Sequence, residues 1–224
     1  MTTRPIPLAL TALVAFFSAL AALAVSGGMN MASAHGDTPH ASVVTAKSAA
    51  FHADMRKLWE DHITWTRLAI ISLEGGTPDA DATVARLLRN QVDLGNAIKP
   101  YYGAKAGNGL TRLLKSHIVI AADVIAAAKA SDKAKLAEAQ ARWLKNADQI
   151  AAYLHAANPE YWPLAALKDE MHMHLGFTTA EAVAHLQRNW PADVAAYDRV
   201  HHHILHMSDV LADGIVAQFP GRFR

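Results

Sequence analysis

The chain predicts an all-α fold, an antiparallel four-helix bundle core carrying a C-terminal helical extension. Apolar residues recur at helical spacing through most of its length: Phe51, Met55, Leu58, His62, Trp65, Ala69 and Leu73, for example, share one face at about 100° per residue. Short stretches rich in Gly, Pro and Asp interrupt these runs at Glu74–Pro78, Gly103–Gly109, Ser131–Asp132 and Asn158–Pro159. Connections this short make consecutive helices antiparallel neighbours. No alternating strand pattern occurs.

The first segment stands apart from the fold. Arg4 is the only charge ahead of an apolar run from Leu8 to Val25, and Ala32-Ser33-Ala34 offers a small-residue cleavage site. Residues 1–34 therefore read as a secretory signal peptide, which places the mature chain in the periplasm or outside the cell. An uncleaved N-terminal anchor is the alternative, because the run is about as long as a minimal membrane span. Cleavage before His35 leaves 190 of the 224 residues and removes Arg4, so 20 Lys and Arg face 20 Asp and Glu. A formally neutral chain gives no reason to expect nucleic acid as a partner.

Residues 35–40 read as a flexible lead-in, and 41–224 as one helical domain. The first helix is expected from Ala41 to Leu73. Asp79 and Asp81 open the second, with Val84, Leu87, Gln91, Leu94, Ile98 and Tyr102 on one face. After a turn over Gly103–Gly109, the third places Leu110, Leu113, His117, Ile120, Val124 and Ala128 together. The fourth turns Leu136, Trp143, Ala147, Ile150 and Leu154 inward with Asn146 on the flank, and Asn158-Pro159 ends it. A short helical piece carries Met171-His172-Met173-His174. A second runs from Thr178 to Asn189, with Thr178 or Thr179 as its cap. Pro191 suits the first turn of a last helix ending at Phe219-Pro220-Gly221.

Position along antiparallel helices predicts a polar layer. His62 lies 13 residues before Gly75 and Gln91 lies 13 after Pro78; His117 lies 14 before Ser131 and Asn146 lies 14 after Asp132. Residues equidistant from a turn share a height in the bundle. His62, Gln91, His117 and Asn146 should therefore meet in the interior, either bonded to one another to fix helix register or holding a small ligand or metal ion between imidazoles.

Histidine is the residue on which a functional reading turns. There are 13 histidines, all after residue 34, and no cysteine, so imidazole is the remaining soft-to-borderline metal donor and thiolate sites are excluded. His62 and His117 make one candidate pair for copper or zinc. His202 and His206, at i, i+4 on the last helix with Asp209 a turn on, have the spacing of a helical chelate and make the other. The Met-His-Met-His run could add soft ligands. Asp61, Asp93 and Asp123 fall on helix flanks, and the Glu-x-x-His pairs of di-iron bundles are absent. No glycine-rich phosphate loop, Gly-x-Ser-x-Gly elbow or His-Glu-x-x-His motif occurs, and no catalytic residue can be named.

The strings Leu58-Trp59-Glu60-Asp61-His62 with Trp65-Thr66-Arg67, and Asn90-Gln91-Val92-Asp93-Leu94-Gly95-Asn96-Ala97-Ile98 with Pro100-Tyr101-Tyr102-Gly103, resemble a family of small bacterial helical proteins of no established function. Asn146-Ala147-Asp148, Ala157-Asn158-Pro159 and Gly214-Ile215-Val216-Ala217-Gln218-Phe219-Pro220 extend the likeness over nearly all of the mature chain. The resemblance implies a shared helical fold. Some members carry glycosyltransferase or acetylglutamate kinase names, which imply a transferase, but no motif in this sequence supplies the phosphate grip such an enzyme needs. The expectation is thus an exported bundle that binds a transition metal or small ligand through histidine. A structural or partner-binding bundle, self-association included, is the alternative.

Overall fold

The computed structural model describes residues 45–224, and among them every regular element is helical. The signal-peptide and lead-in readings, residues 1–40, lie outside the described residues. No described helix is long and apolar enough to cross a membrane.

Helix α1 spans Ala46–Gly75. Thr45 caps it, not an earlier residue: its hydroxyl accepts the Ser48 N–H at 3.1 Å while the Ser48 hydroxyl accepts the Thr45 N–H at 3.0 Å. This reciprocal pair satisfies two donors that the first turn would leave open. Gly76, at φ 63°, closes the other end in the left-handed conformation. The buried face of α1 centres on Met55, Trp59, His62, Ile63, Ala69 and Ile70, so it is rotated from the expected stripe toward Trp59 and Ile63. Trp65 instead lies half-buried beneath the Arg86 guanidinium, 4.9 Å from its ring centre.

Helix α2, Ala80–Lys129, joins the expected second and third helices. Only Gly103, at φ 82° and ψ 168°, leaves the helical region, and the second arm resumes at once. The remaining glycines of that stretch serve packing. A Cβ on Gly107 would sit 2.4 Å from the Gly95 carbonyl oxygen, so the two arms touch backbone to backbone across the break. Helix α3, Lys133–Ala157, starts at Asp132, whose carboxylate accepts the Lys135 N–H at 3.1 Å.

Helix α4 runs unbroken over Leu164–Leu186 where two pieces were expected. The Thr178 hydroxyl donates back to the His174 carbonyl at 2.9 Å and caps nothing. Helix α5, Trp190–Gln218, begins with Pro191 in its first turn and ends before a 3-10 turn at Pro220–Arg222. Helix α1 packs on α2 and α5, α2 on α3, α3 on α4 and α4 on α5, which closes the bundle around a single large core.

Candidate functional site

Four helical segments bring His62, Gln91, His117 and Asn146 into the core as two hydrogen-bonded pairs, all buried. The Gln91 amide nitrogen donates to His62 Nδ1 at 3.2 Å and to the Leu87 carbonyl at 2.9 Å. His117 Nδ1 donates to Asn146 Oδ1 at 2.8 Å, since an amide oxygen can only accept, and His117 Nε2 accepts the Trp143 indole N–H at 3.1 Å. Both nitrogens of His117 are therefore satisfied by a neutral ring of fixed tautomer. Asn146 Nδ2 in turn donates to the Leu113 carbonyl, and Asn90 Nδ2 to the Leu58 carbonyl.

Two histidines join this layer that sequence reasoning did not place there. The His174 ring lies 5.8 Å from that of His62, 6.2 Å from that of His117 and 6.2 Å from that of His203. A signal for His174 was present in its spacing from Leu167, Met171, Thr178 and Glu181, all buried on one face of α4. Alternation of Met and His hid it. His203 stands three residues after Val200 and four before Met207, on the flank of the α5 core stripe, within a run of three histidines of which one had to face inward.

Burial controls the charge of these rings. Loss of solvent, with the neighbouring His117, holds His62 down to about 3. Burial holds His117 down to about 4 and His174 well below the ordinary imidazole value. The layer is thus neutral across the physiological range. With the His62 and His117 acceptor nitrogens both engaged, His174 Nδ1 is a buried imidazole nitrogen with no hydrogen-bond partner among the described residues.

The second predicted group divides. His202 and His206 both line an open groove of about 510 Å³ between α4 and α5, together with Phe177, Asp198, Arg199 and His203. Asp209 does not join them. Arg56 of α1 grips its carboxylate with two donors, Nε at 2.7 Å and a terminal nitrogen, and His52 adds a contact at 3.7 Å. A bidentate guanidinium pair outcompetes a looser approach to imidazole. In its place Glu170 of α4 stands 3.4 Å from His206 Nε2. The Met-His-Met-His run also splits: Met171 packs in the core, whereas His172 meets Asp148 at 3.0 Å. Among the described residues no group of three or more His, Asp or Glu side chains is arranged to hold a metal ion as it stands.

A separate polar cluster ties three helices. Arg67 donates to Glu181 at 2.7 Å and to Asp193 at 2.9 and 3.1 Å, and His185 contacts Asp193 at 3.0 Å. Burial pushes Glu181 up to about 7 and Glu74, with Asp193 and Glu181 nearby, up to about 8. Asp193, despite its burial, is held below the usual carboxylate range by Arg67 and His185. Beside Glu74 lies an apolar cavity of about 50 Å³ bounded by Ile70, Leu87, Ile118 and Trp143, among others. Cavities that enclose organic ligands run to about 300–1,000 Å³, so this one suits water-sized guests.

No family model, curated protein or solved structure matches the chain.

Proposed function

We propose that this chain is an exported helical bundle that binds a late first-row transition metal ion, zinc or copper, through the histidines of the α4–α5 groove. The observation that carries the reading is the placement of His202 and His206 in one open groove with His203 at its floor. Imidazole is the strongest neutral donor available to a chain without cysteine. The apolar segment before Ala32-Ser33-Ala34 supports export. The core layer serves helix register in this reading, because the lone pairs of His62 and His117 are already engaged. A small organic ligand is disfavoured by the small enclosed cavity.

The test is elemental analysis of untagged protein, followed by zinc and copper titration of two variant pairs. His202→Ala with His206→Ala should lose the bound ion at unchanged fold. His62→Leu with His117→Leu should change stability and keep metal stoichiometry. Metal-free protein with no zinc- or copper-dependent rise in melting temperature would end the reading.

A further inference from the structure

A second cavity, of about 30 Å³, lies in the core where all five helices meet. Its walls are thioethers, aliphatic chains and rings, Met55, Leu114, Met171 and Met207 among them, and three of the side chains that line it carry a nitrogen or oxygen: Trp59, Trp162 and Glu170. The Trp162 indole N–H is spent on the Val210 carbonyl at 3.3 Å. The other two are not satisfied by the protein. Trp59 is 7 % exposed and its Nε1 has no hydrogen-bond partner among the described residues, nor has the buried Oε2 of Glu170. His203 Nδ1 stands 3.6 Å from that oxygen, beyond hydrogen-bond range, and is itself an acceptor because Nε2 of the same ring faces the Glu170 backbone carbonyl at 3.1 Å. An indole N–H only donates and a carboxylate oxygen only accepts. One apolar cavity is thus bounded by an unspent side-chain donor on α1 and an unspent side-chain acceptor on α4.

We propose that this cavity is a hydration site, in which one or two water molecules accept from Trp59 Nε1 and donate to Glu170 Oε2, tying α1 to α4. Water fits both ends because it accepts at one and donates at the other. Size selects it as well. One water needs about 10–15 Å³ of such space, so a cavity of about 30 Å³ takes one or two and leaves no room for an organic molecule. The energetics point the same way. A buried donor and a buried acceptor that find no partner each forfeit the hydrogen bonds they make in the unfolded chain, whereas a bridging water restores nearly the value of a direct bond for a small loss of freedom. Glu170 also forms the wall toward solvent: its other oxygen, Oε1, is 3.4 Å from His206 Nε2, and the His206 side chain is 59 % exposed at the groove. Rotation of this one carboxyl group gives the guest its route of exchange. The site requires no metal ion, so it stands apart from the reading of the groove as a metal binder.

The experiment uses the full mature chain, stripped of metal with a chelator, and reads the Trp59 indole proton by nuclear magnetic resonance. That proton, assigned by its loss in Trp59→Phe, should show a dipolar contact with water, of the sign that separates a bound molecule from proton exchange. Glu170→Met removes the acceptor at similar volume and should abolish the contact. A double-mutant cycle in urea supplies a second readout. Trp59→Phe and Glu170→Met should each raise the unfolding constant about 10-fold, and the double variant should fall short of the product of the two by about 5-fold or more, because each single change leaves the other group unpaired. An indole proton with no water contact in wild type would overturn the proposal, and so would a contact that survives in Glu170→Met or effects that simply multiply. Coupling in the cycle without a water contact would mean that Trp59 bonds Glu170 directly, which also ends it. Should Trp59→Phe fail to fold, the indole proton is assigned through its own ring, and its water contact in wild type and in Glu170→Met decides the matter.

Discussion

His117 shows most directly how a buried imidazole is made tolerable. Its Nδ1 donates to Asn146 and its Nε2 accepts from Trp143, so one ring exhausts its hydrogen-bonding capacity without a charge. Trp143→Phe would remove the donor while nearly conserving volume, leaving a buried acceptor unsatisfied at a cost of about 1–3 kcal/mol. Urea unfolding should register that loss, and a variant as stable as wild type would mean the indole contributes packing alone. The pairings of His62 with Gln91 and of His117 with Asn146 were legible in the sequence. Equal counts from a tight turn translate directly into equal height on antiparallel helices, and each pair is joined across one such turn. His174 and His203 come from helices whose contacts with α1 and α2 are not made across a shared turn, so no count from a turn could relate them to the layer. Glu170 was invisible for the same reason: only the crossing of α4 over α5 brings it to His203 and His206.

At the scale of elements, the helices were more legible than their ends. Gly103 to Gly109 holds three glycines and reads as a loop, yet one residue makes the break and two make room. The distinction predicts different behaviour on substitution. Gly103→Ala meets no atom within 4 Å but must hold φ 82° and ψ 168°, a region that L residues avoid, so it should cost about 1–3 kcal/mol through the backbone alone. Gly107→Ala has ordinary dihedrals and a backbone oxygen 2.4 Å from the new carbon, so the arms of α2 must separate. Gly103→Ala should therefore lower the urea midpoint with unchanged spectra, while Gly107→Ala should also alter the near-ultraviolet signal of the repacked core. Matching near-ultraviolet spectra for both would contradict the close approach. Continuity of α4 has a related cause: Thr178 and Thr179 are capping types, but both are buried between helices, and tertiary packing overrides a modest local preference for a helix start.

Across the whole molecule, buried bases and buried acids pull stability in opposite directions with pH. His62 at about 3, His117 at about 4 and His174, also lowered, refuse protons in the folded state that the unfolded chain accepts near 6.5. Below that value the unfolded state binds more protons, so stability falls on acidification, by about 1.4 kcal/mol per pH unit for each fully buried imidazole. Glu181 at about 7 and Glu74 at about 8 do the reverse. Between their ordinary value near 4.5 and these raised values the folded state holds protons that the unfolded chain has released, so stability declines as pH rises through that window. From about 4.5 to 6.5 the two groups oppose each other, three imidazoles against two acids, and the dependence should be shallow. Below about 4.5 the acids no longer differ between states and the imidazoles steepen the loss; above about 6.5 only the acids remain and the sign reverses. Stability should therefore peak near pH 6.5 in urea titrations run from pH 4 to 8.5. Glu74→Gln should flatten the alkaline side, because it removes one of the two acids that hold a proton in the fold above their ordinary value. A stability that climbs steadily from pH 6.5 to 8.5 in wild type would show that Glu74 and Glu181 are ionised in the fold, and the acid half of the argument would fall.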